Sequence, residues 1–177
     1  FFSEWIYNAG QPEFKVDYVY NDKSNEIVLN AKQVQAMDSS SVFKSPVPIE
    51  IITGSGKQNV SIVTSDEVKS YVFKVDSKPL NVNFNKGNKI LSKLYFTKSR
   101  NDWLYQLTNS PDAIDRITAL NGLKDLLNDK DIVDAVMNVL KNDKFWGTRA
   151  EAVKVITDSK DPLIAEIYLK YLVEESD

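Results

Sequence analysis

The chain has 177 residues, enough for one ordinary domain or two small ones. Hydrophobic residues make up 42% of it and charged residues 27%, which is typical of a globular chain and not of a disordered one. Its net charge of -3 provides no basic surface for phosphate groups, so we expect no nucleic-acid partner.

Two residue types that carry much of protein chemistry, cysteine and histidine, are missing from the sequence. Without Cys there is neither a disulfide nor thiolate chemistry, and the redox compartment and the localisation stay unknown. Without His, a metal site would have to use oxygen ligands alone. No run approaches the ~20 apolar residues of a membrane-spanning helix, so we expect no membrane segment. The start at Phe1 rather than Met indicates a fragment of a longer chain.

The first part of the chain alternates apolar and polar residues, as β-strands do. The alternating apolar positions of the first strand are Phe14, Val16, Tyr18 and Tyr20. Further β-type runs, separated by turn sequences, cover residues 26–29, 47–52, 60–63, 71–75 and 80–84. Short strands with no helical stretch between them favour an antiparallel, all-β sandwich.

The apolar spacing becomes helical near Arg100, where Trp103, Leu104 and Leu107 share one face. The charge changes at the same place, because residues 1–98 carry a net +2 and residues 99–177 a net -5. We therefore divide the chain into a tail of a preceding domain at 1–10, a β-sandwich domain at 11–98 and an α-helical domain at 99–177.

Four further helices are predicted from their start signals. These signals are Ser110 as N-cap before Pro111, a start near Asp131, a cap at Asn142-Asp143 and a start at Asp161-Pro162. Their apolar stripes are Ile114, Ile117, Leu120, Leu123 and Leu127; Ile132, Val136, Val139 and Leu140; Phe145, Trp146, Val153 and Ile156; and Ile164, Ile167, Tyr168 and Tyr171.

The helices repeat with a period of 33 residues, because the pattern Arg-x-x-Ala-aliphatic occurs at Arg116 and again at Arg149. A helix pair of this period predicts HEAT-like repeats of an α-solenoid, in which each unit packs only against its neighbours. We expect Arg116 and Arg149 to occupy equivalent places, and at least one of them to bond a carboxylate of a neighbouring helix.

Four constellations invite a functional interpretation, and each has a structural alternative that we favour. Asn128–Asp131 with Asp134 resembles a calcium loop, but the sixth position is not Gly and the twelfth is not Glu, so helix capping is the better interpretation. Asp112 and Asp115 lie one turn apart, as a catalytic carboxylate pair would, yet first-turn acids also complement the helix dipole.

The other two constellations are Gly54-Ser55-Gly56 and the three tryptophans. No Lys-Ser or Lys-Thr opens a helix after Gly56, so the glycines predict a hairpin turn and not a phosphate-binding loop. Trp5, Trp103 and Trp146 each lie at a predicted element junction, where packing between elements is a simpler expectation than ligand stacking.

Three sequence segments resemble the carboxy-terminal region of the aminopeptidase N family of zinc metallopeptidases. They are Phe2-x-x-Trp5-x-x-x-x-Gly10-x-Pro12, Asp115-Arg116-x-x-Ala119-Leu120 and Phe145-Trp146-Gly147-x-Arg149-x-Glu151-Ala152. The resemblance covers essentially the whole chain. It implies a small β-sandwich after the catalytic domain, followed by a HEAT-like helical domain that closes over the active-site cleft.

The resemblance also implies that this region does not carry the family's catalytic residues. The family's zinc is held by a His-Glu-x-x-His helix and a more distant Glu, and a Gly-Ala-Met-Glu-Asn type loop grips the substrate amine. None of these motifs occurs here, so no catalytic, cofactor-binding or metal residue is assigned. The expected partners are the parent's catalytic domain and its peptide substrates, and zinc is expected only in that domain.

Other readings remain open at this point. A relative that has lost its zinc ligands would use the same region as a protein-interaction scaffold, and so would an unrelated sandwich-plus-HEAT protein. The sequence upstream of Phe1 separates these readings. A freestanding enzyme is the weakest alternative, because the spacing provides no cluster of acids for oxygen-only chemistry.

Overall fold

A computed structural model of the chain describes residues 10–35, 42–65, 67–159 and 162–174. The chain divides into two compact units, Phe1–Lys98 and Ser99–Asp177, called the sheet unit and the helical unit below. The predicted tail residues Phe1, Phe2 and Trp5 lie outside the described residues.

Seven strands lie in the described part of the sheet unit. They are β1 (Glu13–Asn21), β2 (Glu26–Gln33), β3 (Ser45–Thr53), β4 (Gly56–Thr64), β5 (Val68–Lys74), β6 (Asn81–Phe84) and β7 (Lys93–Thr97). They form a four-stranded sheet of order β5-β2-β1-β7 and a three-stranded sheet of order β4-β3-β6. Strand β7 was not among the apolar runs predicted from the sequence.

Two hairpins lie in the described part of the sheet unit, and one of them is at the turn predicted for residues 54–56. β1 and β2 pair antiparallel from Phe14 opposite Gln33 to Asn21 opposite Glu26, around a turn in which Asn25 has a φ of 51°. β3 and β4 also pair antiparallel, and Thr53 lies opposite Gly56 so that only two residues form the loop. The hairpin interpretation of residues 54–56 is therefore confirmed.

The sheet unit is not wholly antiparallel, which corrects the sequence-based prediction. β1 and β7 pair in parallel, from Glu13 opposite Lys93 to Asp17 opposite Thr97. A parallel pair needs a long connection rather than a tight turn, and the whole sequence from β2 to β6 separates these two strands. Apolar alternation fixes which face of a strand is buried but not the direction of its neighbour, so the pattern could not predict this pair.

The core of the sheet unit lies between its two sheets. Residues of the four-stranded sheet, such as Phe14 and Leu29, and of the three-stranded sheet, such as Ile51 and Phe84, belong to one apolar cluster. The rings of Phe14 and Phe84 lie 5.2 Å apart between centroids. Because the apolar members come from both sheets, the arrangement is a two-layer sandwich.

Five α-helices lie in the described part of the helical unit: α1 (Arg100–Asn109), α2 (Ala113–Leu123), α3 (Lys130–Asn142), α4 (Trp146–Thr157) and α5 (Pro162–Glu174). A short 3-10 helix (Lys124–Leu126) follows α2. α1 begins with a capping box, in which Ser99 accepts from the Asp102 amide while Asp102 accepts from that of Ser99.

Two predicted helix starts are corrected. Ser110 does not cap α2: its N–H bonds the carbonyl of Gln106 and so ends α1, and the N-cap of α2 is Asp112. In the same way the N–H of Asp143 bonds Val139 and ends α3, and the N-cap of α4 is Phe145.

The side chains of Ser110 and Asp143 nevertheless accept an N–H two residues on, from Asp112 and Phe145 respectively. Each of these turns therefore ends one helix through the backbone N–H of Ser110 or Asp143, and the side chain of the same residue accepts an N–H near the start of the next helix.

Each helix packs against the helix next to it in the sequence or against one further along the chain. α2 contacts α1 and α4, and α4 also contacts α3 and α5. Leu120, Leu123 and Ile132 are fully buried, but Ile114 is 54% exposed, so the predicted stripe of α2 is wrong at its first position. The side chains of Ile167 and Tyr171, predicted for the stripe of α5, lie outside the described residues.

Trp103 packs against α2 at Gly122. A Cβ placed on Gly122 would lie 2.5 Å from Cε2 of Trp103, so only glycine lets the indole approach this closely. Trp103 is 7% exposed, which agrees with its predicted packing role.

Candidate functional site

A polar contact between two helix pairs centres on Arg116, the fourth residue of α2. Its Nε and Nη2 donate to the two carboxylate oxygens of Asp143, at 2.6 and 2.9 Å. Its Nη1 donates to the carbonyls of Ser110 and Pro111, each at 2.9 Å. One guanidinium therefore joins the α1–α2 turn to the α3–α4 turn.

Arg149, the fourth residue of α4, repeats part of this arrangement. Its Nη1 donates to the carbonyl of Asp143 at 2.7 Å, six residues back, just as Arg116 donates to Ser110 six residues back. The two arginines therefore occupy equivalent places, as predicted. The predicted bond to a carboxylate of a neighbouring helix is made by Arg116 to Asp143, which is the C-cap of α3.

A second ion pair, which was not predicted from the sequence, joins α1 to the start of α3. Arg100 donates through Nε and Nη2 to both oxygens of Asp129, at 2.6 and 2.7 Å, and Nη2 also reaches Asp131 at 3.0 Å. Asp129 is the N-cap of α3 and accepts the N–H of Asp131. Asp129 therefore caps α3, as the helix-capping interpretation of Asn128–Asp131 predicts.

The two ion pairs, Arg100–Asp129 and Arg116–Asp143, keep their carboxylates in the ionised form. The hydrogen bonds from Arg100 lower the pKa of Asp129. At Asp143, burial alone would raise the pKa, but the hydrogen bonds from Arg116 and from the Phe145 amide outweigh it and leave the pKa below its ordinary value. A carboxylate of lowered pKa is a weak base, so neither residue has the properties of a general base at neutral pH.

A groove of about 710 Å³ lies beside the Arg116–Asp143 pair. The α1–α2 turn forms one side of it and the end of α3 with the α3–α4 turn forms the other. Pro111, Val139 and Phe145 supply apolar surface, while Asn138 and Asn142 supply amides. We call it the Arg116 groove.

Two aromatic rings lie exposed at the start of α4. Phe145 is 42% and Trp146 is 69% exposed, with 5.8 Å between their ring centroids. The expectation that Trp146 packs at an element junction is therefore wrong within this chain. Trp5, the other tryptophan predicted to pack in this way, lies outside the described residues.

The candidate acid pair at the start of α2 is built into helix ends. Asp115 is 9% exposed and accepts a hydrogen bond from the hydroxyl of Ser110 at 2.8 Å. Asp112 is the N-cap of α2. Both positions complement the helix dipole, which is the structural alternative given above.

A polar cluster in the sheet unit also escaped sequence analysis. Glu50 is 6% exposed and accepts from the amide of Asn83 at 2.8 Å, while Nζ of Lys57 lies 3.6 Å from its carboxylate. Asn81 donates to Asn83 and accepts from Lys98. The members bond one another, as buried polar groups must, so the cluster needs no ligand to account for it.

The motif of the zinc site that the resemblance implies does not occur in this sequence. Histidine and cysteine are absent from the sequence. Within the part of the chain that the structure describes, no three Asp or Glu side chains are grouped so that they would hold a metal ion. Within that same part, no helix has the length and apolar character to cross a membrane.

Comparison with solved structures finds a similar fold in an aminopeptidase. The crystal structure of Legionella pneumophila aminopeptidase A in complex with aspartic acid matches 95% of this chain with a TM-score of 0.62 and 14% sequence identity. The match spans 22% of that enzyme's chain, so this chain corresponds to about a fifth of its length. At this identity the likeness concerns the fold alone. No protein-family model and no curated protein matches the sequence.

Proposed function

We propose that this chain is a non-catalytic, carboxy-terminal part of a zinc aminopeptidase, in which the sheet unit and the helical unit follow the catalytic domain. The observation that carries the proposal is the fold match to an aminopeptidase over 95% of the chain. The match includes both units, and similarity over two consecutive units of different class is more specific than similarity over one. The sequence motifs that resemble the aminopeptidase N family agree with it.

The helical unit, on this proposal, is the start of a HEAT-like array. Three observations support it: α2 and α4 begin 33 residues apart, α4 contacts both helices of the preceding pair, and Arg116 and Arg149 make the same bond to a carbonyl six residues back. Such an array, continued in the parent, would cover the cleft and limit which peptides reach the zinc.

The chain itself would contribute no chemistry. The catalytic zinc, its ligands and the amine-binding residues would lie in the preceding catalytic domain, because the family's motifs for them do not occur in this sequence. The function of this region is then to position the helical cover over the active-site cleft of the catalytic domain.

The test begins with the purified 177-residue chain. We expect neither stoichiometric zinc binding, measured by titration calorimetry, nor release of amino acids from aminoacyl reporter substrates. The parent should do both, and should carry His-Glu-x-x-His before Phe1. Deletion from Gln11 onward should abolish or strongly impair its turnover. Metal-dependent peptidase activity in the 177-residue chain, or a parent without a metallopeptidase domain, would overturn the proposal.

A second candidate function is that of a protein-interaction scaffold, and the exposure of Phe145 and Trp146 beside the Arg116 groove favours it. Aromatic residues are enriched at binding surfaces and depleted from solvent-exposed ones. A parent whose zinc ligands are replaced, and whose assembly with its partner is lost on Trp146→Ala, would support this alternative over the enzymatic one.

A further inference from the structure

One edge of the four-stranded sheet has no neighbouring strand among the described residues. The strand order is β5-β2-β1-β7, so β5 pairs with β2 on one side only. An edge of this kind presents free main-chain donors and acceptors, and natural sheets block it with a proline, a bulge or a cover. β5 contains no proline, and its pairing with β2 runs from Val68 to Lys74 without a bulge. The edge is therefore suited to accept another strand.

The register of β5 shows which of its main-chain groups face this open edge. At one end of the ladder the N–H of Gln33 donates to the carbonyl of Glu67 at 2.8 Å. At the other end the N–H of Val75 donates to the carbonyl of Asn25 at 2.9 Å. Hydrogen-bonded and non-bonded pairs alternate along an antiparallel ladder, so the odd-numbered residues of β5 bond β2. The N–H and C=O groups at the open edge are those of Val68, Ser70, Val72 and Lys74.

The side chains of these four residues point away from the core of the sheet unit, and all four are exposed. Val72 is 58% exposed and lies in one row with Val28 of β2 and Val19 of β1, so an apolar row reaches the open edge. The adjacent row is polar, because the hydroxyl of Ser70 donates to the side chain of Asn30 at 2.7 Å. An added strand would extend both rows, with an apolar residue beside Val72 and a polar one beside Ser70.

The charge of β5 indicates what kind of strand fits the edge. β5 carries Lys69 and Lys74 and no acidic residue. Pairing β5 of two copies of this chain would bring four ammonium groups together without a carboxylate, which disfavours a second copy. A strand with acids opposite Lys69 and Lys74 would form cross-strand ion pairs instead. Lys74 already lies opposite Glu26 of β2, but an ammonium group has three donors and can pair with a second carboxylate.

We propose that the open edge of β5 is a docking site for an extended, acidic peptide segment of a partner protein, which pairs antiparallel and adds a fifth strand to the sheet. The main-chain groups at the edge provide the affinity, and the side chains on either side of the strand provide the selection. The valine row selects an apolar residue opposite Val72, and the two lysines select acids. The inference concerns the sheet unit and does not depend on the parent being an aminopeptidase.

The test uses the heptapeptide Glu-Val-Val-Tyr-Thr-Glu-Val with blocked ends. Paired antiparallel, it places acids opposite Lys74 and Lys69 and a valine opposite Val72. Added to the isotope-labelled 177-residue chain, it should slow the amide hydrogen exchange of Ser70 and Val72 by about tenfold at saturation, because their N–H groups become bonded. The N–H of Tyr71 already faces β2, so its exchange should change little and is the internal control. The same peptide with Lys in place of both Glu residues should not slow the exchange.

Variants of β5 separate edge pairing from other modes of binding. Val72→Pro removes an N–H at the open edge but none of the bonds to β2, so it should abolish peptide binding while the circular dichroism spectrum stays unchanged. Val72→Thr keeps both the N–H and the branched side chain, and this matched control should bind within about twofold of the wild type. Lys69→Glu combined with Lys74→Glu should weaken binding by roughly tenfold at low salt and less at high salt.

Four results would overturn the proposal. They are unchanged exchange of Ser70 and Val72 with the acidic peptide, equal protection by the Lys-containing peptide, full binding by a folded Val72→Pro variant, and protection of the two amides in a dimer that forms without peptide. The last result would make a second copy of the chain the occupant. If Val72→Pro unfolds the sheet unit, the double lysine variant decides the question, because unchanged affinity in that variant contradicts the selection of acids.

Discussion

In the sheet unit, segments far apart in the sequence are joined mainly by their backbones, whereas in the helical unit they are joined by side chains. β1 pairs through its main chain with β7, which is some 80 residues away, and the ion pair between Glu13 and Lys93 adds to that pairing. A helix uses nearly all its main-chain hydrogen bonds within itself and leaves groups free only at its ends. The long-range polar ties described in the helical unit accordingly involve side chains, and two of them, Arg116–Asp143 and Arg100–Asp129, meet at helix ends.

This difference predicts where each unit is vulnerable. The sheet unit should lose most stability when a side chain of its apolar cluster is removed. The helical unit should also lose stability when a single guanidinium is removed.

Phe14→Ala should destabilise the sheet unit by about 3 to 5 kcal/mol, because the fully buried ring contacts Phe84 and its removal leaves a cavity. Urea unfolding followed by circular dichroism measures the loss. Val19→Ala, on the same strand at 63% exposure, is the matched control and should change stability by less than about 0.5 kcal/mol. Equal effects would mean that the cluster does not hold the sheets together.

Arg116→Gln should destabilise the helical unit by about 2 to 3 kcal/mol, since it removes hydrogen bonds to a charged partner and leaves Asp143, whose side chain is 4% exposed, without its counter-ion. The comparison variant is Arg100→Gln. One-third of the surface of both Arg100 and Asp129 is exposed, so that loss should be smaller and should shrink further in high salt. A greater loss from Arg100→Gln would contradict the ranking.

Gly122→Ala should cost the helical unit about 1 to 2 kcal/mol, because the added Cβ would lie 2.5 Å from the Trp103 ring. Trp103→Leu alone should also be destabilised. In the double variant, however, the smaller Leu side chain relieves the contact with the added Cβ and should recover part of the loss caused by Gly122→Ala. Gly54→Ala in the β3–β4 turn has no neighbouring atom within 4 Å of its Cβ and serves as the control. Unfolding in urea gives all four values.

The helical unit should also lose stability in acid through Asp143. The pKa of Asp143 is lowered in the folded state, so the unfolded chain takes up its proton first as the pH falls. The contribution is present above the ordinary Asp value of about 3.9 and disappears as the pH falls through the folded pKa. Asp143→Asn should flatten this part of the stability profile.

The exposed Glu13–Lys93 pair of the sheet unit provides the contrast for this acid effect. Lys93 also lowers the pKa of Glu13, but its side chain is 55% exposed, so Glu13→Gln should change the profile little. A profile that responds equally to Glu13→Gln and to Asp143→Asn would remove the distinction between the two units.

The amino-acid sequence alone was sufficient for the strands from β1 to β6, the five helix regions and the equivalence of Arg116 and Arg149. Period and turn chemistry are local properties, and the residues that carry them are neighbours in the chain. The same local reasoning predicted helix capping by the segment Asn128–Asp131 and a hairpin turn at residues 54–56.

Only the tertiary structure decided the partners of those elements. The parallel pairing of β7 with β1, the tie from Arg100 to Asp129, the exposure of Ile114 and Trp146 and the buried cluster around Glu50 all depend on segments brought together from distant parts of a unit. The pattern of a strand or helix states which face is apolar, but not what covers that face. For that reason the sequence predicts the elements. The packing between the elements determines which polar residues form ion pairs and which aromatic residues stay exposed.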